Sequence, residues 1–199
     1  MLLIKKPEGQ AKIISRTEEK RILHSLDAKQ NSERNKVMFL LTIKAGLRAK
    51  EVAGLRWSMV TDATGEITNA ISLTASICKG TKGRTIPLSK DLKQVLQQLQ
   101  KNSTRIQSFD PVILSARKTA MTHHGVVYFF RILYKDNGLI GCSSHSGRRT
   151  FITRLANRII SVGGSLRDVQ QMAGHSSLSI TQSYIEGNDR AKVEAVNLI

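Results

Sequence analysis

Glycine and proline divide the apolar pattern of this chain into short pieces, and that division limits what it folds into. The longest apolar run, Val37 to Ile43, has seven residues, is interrupted by Thr42 and is followed by Lys44. A bilayer takes roughly 20 apolar residues in a helix, so no helix here spans one. Met-Leu-Leu-Ile-Lys-Lys at the start is too short for a secretory signal. What remains is a set of short helices that bury one another's faces.

Their boundaries are written in the sequence. Ser15-Arg16-Thr17-Glu18 fits a capping box opening a helix with Ile22, Leu23 and Leu26 on its apolar face. Residues 27–34 read as a polar turn. Asn35 to Ala45 reads as a buried helix stopped at Gly46, followed by a short helix over Ala49 to Leu55. Leu92, Val95, Leu96 and Leu99 repeat at helical spacing. Residues 102–121 read as irregular. Thr122 caps a helix carrying Val126, Val127, Phe130 and Leu133 that ends at Asn137-Gly138. A helix over His145 to Val162 stacks Phe151, Leu155 and Ile159 and breaks at Gly163-Gly164. Ser165-Leu-Arg-Asp168 caps the next, which stops at Gly174, and Ser179-Ile-Thr-Gln182 caps a short helix bearing Tyr184. Val193, Val196 and Ile199 form a last helical stripe. Between Trp57 and Leu88 the period changes. Ile67 to Ile77 is rich in β-branched residues and Arg84 to Leu88 forms a second strand, with Pro87 confining it to an edge or an end. The expected fold class is α+β, mainly α-helical, with a small antiparallel β-sheet and no internal domain boundary.

Composition narrows the function. Of 199 residues, 40% are apolar, enough for a core and against wholesale disorder. Lys and Arg outnumber Asp and Glu by 31 to 15, giving a net charge of +16. A chain this basic meets phosphate polymers or an anionic surface. The charge is spread along the chain and forms no basic amphipathic helix, which favours nucleic acid over membrane. Cys78 and Cys142 stand in no paired motif, as expected of reduced thiols in the cytoplasm. His123-His124, His145 and His175 lack the spacing of a zinc site, so no metal is expected.

Four segments carry a more specific signal. They are Ala45-Gly-Leu-Arg48-Ala-Lys-Glu51-Val-Ala-Gly-Leu-Arg-Trp57, Lys79-Gly-Thr-Lys82-Gly-Arg84-Thr-Ile-Pro87, His145-Ser-Gly-Arg148-Arg149-Thr-Phe151, and Ala173-Gly-His175 through Thr181-Gln-Ser-Tyr184, with the tyrosine nine residues after the histidine. In this order they resemble the boxes of the tyrosine recombinase (phage integrase) family. The resemblance implies that family's catalytic domain over residues 15–189, preceded by a lead-in at 1–14 and followed by a C-terminal tail at 190–199. Family members carry a further helical domain ahead of the catalytic one, and the residues before the Arg48 box are too few to form it.

Phosphodiester transfer needs a nucleophile, cations at the phosphoryl oxygens and a proton for the leaving oxygen. The resemblance assigns these roles in turn. Tyr184 is the nucleophile of a 3′-phosphotyrosyl intermediate. Arg48 and Arg148 clamp the non-bridging oxygens by forked hydrogen bonds. His145, on one helix face with Arg148, assists proton movement, and His175 donates to the phosphate. Lys79 is the general acid, with Lys82 as its rival, and Glu51 positions its neighbours. Lys82, Arg84 and Arg149 are candidate DNA contacts. A covalent link conserves the bond energy, so no cofactor is implied. The partners implied are double-stranded DNA and further copies of the chain, assembling from dimer to tetramer on DNA through the tail, with no membrane and no small-molecule cofactor. A type IB topoisomerase-like enzyme and a non-catalytic DNA-binding protein are the rival readings.

Overall fold

The computed structural model describes residues 11–78, 82–103, 106–184 and 196. The chain divides into two compact units, residues 1–151 and 152–199. Eight α-helices and one two-stranded sheet are formed by the described residues, which confirms the mainly helical α+β class.

In the first unit α1 spans Arg16–Asp27, and Ser15 caps it as the capping box requires: its hydroxyl accepts from the Glu18 N–H while Glu18 accepts from the Ser15 N–H. Helix α2 spans Ser32–Ile43, three residues earlier than the sequence reading. Its start follows Asn31, which adopts the left-handed conformation that asparagine tolerates. Residues Val37 through Leu41 are at most 1% exposed, so α2 is covered on every side. The elements that cover it are α1, the short helix α3 at Ala49–Gly54, and α4 at Lys90–Lys101, whose N-cap is Ser89. Helix α5, His123–Asp136, is capped by Thr122 as expected and packs on α3, burying Val126, Phe130 and Leu133.

Strand β1 is only Ala70–Leu73, shorter than the β-branched run of Ile67 to Ile77, because the chain turns where Ile77 N–H donates to Thr74 O and Cys78 N–H to Ala75 O. It pairs antiparallel with β2, Arg84–Pro87, from Ala70 opposite Pro87 to Leu73 opposite Arg84. Pro87 therefore sits at a strand end, where a missing N–H matters least. The stretch read as irregular contains isolated bridges, Arg56 with Pro111 and Leu114 with Ala120.

Helix α6 runs over Ser146–Ile159 and tightens into a 3₁₀ turn at Ile160–Val162, with Gly163 left-handed behind it. Its buried positions include Ser146, Gly147, Arg148, Thr150, Ile152 and Ala156, while Phe151, Leu155 and Ile159 are only half-buried. The sequence stripe was thus one residue out of phase, because the guanidinium of Arg148 takes the buried face. In the second unit α7, Leu166–Ala173, packs on α8, Leu178–Gln182. The Ser165–Asp168 cap and the left-handed Gly174 stop of α7 are as predicted. The N-cap position of α8 is Ser177 rather than Ser179, its hydroxyl 2.8 Å from that of Ser179, and Tyr184 falls in the turn after the helix. The tail stripe lies outside the described residues except for Val196, which is helical and exposed. Among the described residues no helix is long and apolar enough to cross a membrane.

Candidate active site

In the first unit the site grows from the break after α2. Gly46 has φ +67°, and a Cβ there would overlap the Phe151 ring, so both conformation and space call for glycine. The same glycine offers its carbonyl to Arg148, whose Nη1 donates to it at 2.6 Å. Arg148 is 4% exposed, and a buried guanidinium needs such partners to offset its lost hydration. Gly147 brings α6 close to α2, since a Cβ there would overlap the Thr42 side chain. Two arginine boxes separated by a hundred positions are joined in this way through the carbonyl two residues before Arg48.

Arg48 is the N-cap of α3, with its side chain 24% exposed. Three residues on, Glu51 is 1% exposed and accepts from both arginines of the neighbourhood. Its Oε2 takes the Arg48 N–H at 2.8 Å, and its Oε1 takes Arg48 Nη1 at 3.0 Å. Arg84, from the first position of β2, donates Nη1 to Oε1 and Nη2 to Oε2, both at 2.8 Å. Burial by itself would push the Glu51 carboxyl up. The hydrogen bonds and charge of Arg84, joined by those of Arg48, outweigh burial and hold it below the ordinary carboxylate range.

The remaining sequence candidates are placed less uniformly. Arg84, read as a DNA contact, has its side chain 8% exposed and its fork on Glu51. Arg149, read the same way, donates Nη1 to Ala11 O at 2.9 Å and so ties down the chain at Ala11. In both cases a carboxylate or carbonyl of the fold accepts from the guanidinium. Lys82 is exposed ahead of β2. Lys79 lies outside the described residues. His145 is exposed in the turn that leads into α6, where its carbonyl accepts from the Arg149 N–H at 2.9 Å.

The second unit holds the other two candidates together. The rings of His175 and Tyr184 stack with centroids 5.5 Å apart and planes 21° apart. His175 follows the left-handed Gly174, and its N–H donates to Gln170 O. Its Nδ1 lies 2.9 Å from the hydroxyl of Thr181, which is fully buried. Thr181 also sets Tyr184, whose N–H donates to Thr181 O at 3.1 Å. The sequence reading missed Thr181, although its position between the histidine and the tyrosine, three residues before the latter, was a signal. Among the chain's three tyrosines, Tyr134 makes a poor nucleophile: burial pushes its phenol far up. Tyr128 lies beneath the Arg131 guanidinium.

Residues 12–190 match the model of the phage integrase family. The tyrosine recombinase XerC of Pediococcus pentosaceus is 30% identical over 158 residues, which cover 76% of this chain and 49% of that protein. The tyrosine recombinase XerD of Proteus mirabilis is 32% identical, covering 80% of this chain and 50% of its own. The chain thus spans about half the length of the curated relatives it matches. Among solved structures, the fold is similar to that of XerA recombinase, with a TM-score of 0.72 at 23% identity over 99% of this chain and 66% of the other. It is also similar to the Tn1549 transposon integrase in complex with transposon right end DNA, with a TM-score of 0.73 at 20% identity over 98% of this chain and 68% of the other.

Proposed function

The chain belongs to the phage integrase family, and from that premise we propose that it cuts and rejoins double-stranded DNA at specific sites through a 3′-phosphotyrosyl intermediate. The observation that carries this reading is the hydrogen bond from Arg148 to Gly46 O, which fixes a buried cation beside the loop that presents Arg48. Buried guanidinium groups fixed by the fold are suited to a phosphate's non-bridging oxygens, because they need no reorganisation as charge develops.

In the proposed step the Tyr184 Oη attacks the scissile phosphorus and the bond from phosphorus to the 5′ oxygen breaks. The phenol's proton passes to the His145 imidazole, and the 5′ oxygen takes a proton from Lys79. Arg48, Arg148 and the His175 imidazole carry the negative charge of the phosphoryl group. The reverse step, with a new 5′-hydroxyl, rejoins the strand, so the reaction consumes no energy cofactor. Lys82 contacts the DNA backbone. We place the reaction in the cytoplasm, on two DNA sites held by four copies of the chain that the 190–199 tails link.

A nicked suicide substrate, whose 5′-hydroxyl diffuses away after cleavage, tests the reading. Wild type accumulates a protein–DNA adduct joined at Tyr184, and Tyr184→Phe forms none while its DNA affinity stays within about twofold. An adduct persisting in that variant overturns the assignment. Supercoil relaxation without site preference supports the topoisomerase reading, and binding with no adduct in wild type supports the non-catalytic one.

A further inference from the structure

Glu51 stands between two arginines, and its contacts with them are unequal. Arg48 reaches it with a single terminal nitrogen and its own backbone N–H, whereas Arg84 covers both carboxylate oxygens with its fork. The three side chains are at most a quarter exposed, so their charges act on one another with little screening by water. A carboxylate paired with Arg48 alone would cancel the positive charge that a phosphate has to meet. With Arg84 present the trio carries a net +1 rather than zero.

We infer that Arg84 is a positioning residue of the strand-transfer site: by holding Glu51 it keeps the carboxylate from neutralising Arg48, and so preserves the cation offered to the scissile phosphate. The inference rests on the reading of Arg48 as a phosphate clamp. It concerns charge, and it separates Glu51's two effects. Glu51 orients Arg48 as the N-cap partner of α3, and Arg84 offsets the electrostatic penalty of that orientation. Cys78 completes the surroundings, with its Sγ 3.4 Å from Arg84 Nη1.

The test is single-turnover cleavage at saturating DNA, with melting midpoints recorded for every variant. Arg84→Met leaves Glu51 facing Arg48 alone, and cleavage slows by about 10²-fold, the scale of a misplaced catalytic group. Adding Glu51→Gln removes the opposing charge and recovers at least about tenfold of that loss. Arg84→Lys keeps the neutralising charge and cleaves within about tenfold of wild type. A double variant that folds but stays as slow as Arg84→Met overturns the inference, and so does an Arg84→Lys as slow as Arg84→Met. Should Arg84→Met fail to fold, the other two variants decide alone, since neither leaves Glu51 with a single cation, and a 10²-fold loss in either overturns it. A substrate with sulfur at the 5′ leaving position gives an independent readout. Because a thiolate leaves without a proton, the Arg84→Met deficit persists on sulfur if Arg84 acts through Arg48. A deficit erased by sulfur shows that Arg84 serves the leaving group instead. Wild type forming no adduct on either substrate is a different failure, that of the strand-transfer reading itself.

Discussion

The hydroxyl of Thr181 meets Nδ1 of His175 at 2.9 Å, and the other face of that relationship is Tyr184, whose ring stacks on the same imidazole. A buried hydroxyl that donates to Nδ1 leaves the remaining proton of a neutral imidazole on Nε2. With Thr181 as the donor, the proton that a phosphate oxygen needs is on the nitrogen away from Thr181, and in either tautomer the ring stacks on the tyrosine with planes 21° apart.

Thr181→Val removes this hydroxyl with little change of volume. Cleavage falls about 10- to 100-fold, the range for loss of an imidazole's orienting partner, and DNA binding is unchanged. Thr181→Ser restores most of the rate, since it restores the hydroxyl. A valine variant at wild-type rate, measured by adduct formation, removes Thr181 from the site.

The acid limb of stability follows from Glu51. Its carboxyl titrates below the ordinary value of 4.5 in the folded chain, so the folded state binds its proton less readily than the unfolded state. Its contribution is therefore present in full above about pH 5, and it is lost as pH falls below 4.5 through the folded value. Glu51→Gln is less stable than wild type at pH 7, because two guanidinium groups lose their carboxylate. The gap narrows on acidification below 4.5. Urea midpoints of both proteins from pH 7 to about pH 3 check this, and a gap independent of pH contradicts it.

Much of this architecture was legible in the sequence where local chemistry decides it. Ser15, Thr122 and Gly174 mark helix ends through caps and a left-handed glycine, and these depend only on a few neighbouring residues. The four motif segments likewise singled out Arg48 and Arg148, joined through the Gly46 carbonyl, and His175 and Tyr184, whose rings stack. What stayed hidden depends on partners distant in sequence. Nothing near Arg84 announces that Glu51, 33 positions earlier, holds its fork, and nothing near Arg149 announces the carbonyl of Ala11. A surface arginine and a buried one share the same local pattern. The phase of α6 was misread for the same reason: an arginine on the buried face displaces the apolar stripe that periodicity assigns to it.

The hydrogen bond between Arg148 and Gly46 gives the last prediction. Arg148 reaches the carbonyl with Nη1, and a planar guanidinium keeps further donors at fixed angles to that bond. Lysine has one nitrogen on a flexible stem, so it serves either the Gly46 carbonyl or a phosphate oxygen with full geometry, but not both. Arg148→Lys keeps the charge and still loses cleavage by about 10²–10³-fold, the usual effect of removing one fixed donor to a developing charge. DNA affinity changes far less, since phosphates along the whole site contribute to it and the chain's +16 charge falls by nothing. Single-turnover cleavage beside a salt titration of binding separates the two effects. A lysine variant that cleaves at the wild-type rate shows that charge alone suffices at this position and removes the fork from the mechanism.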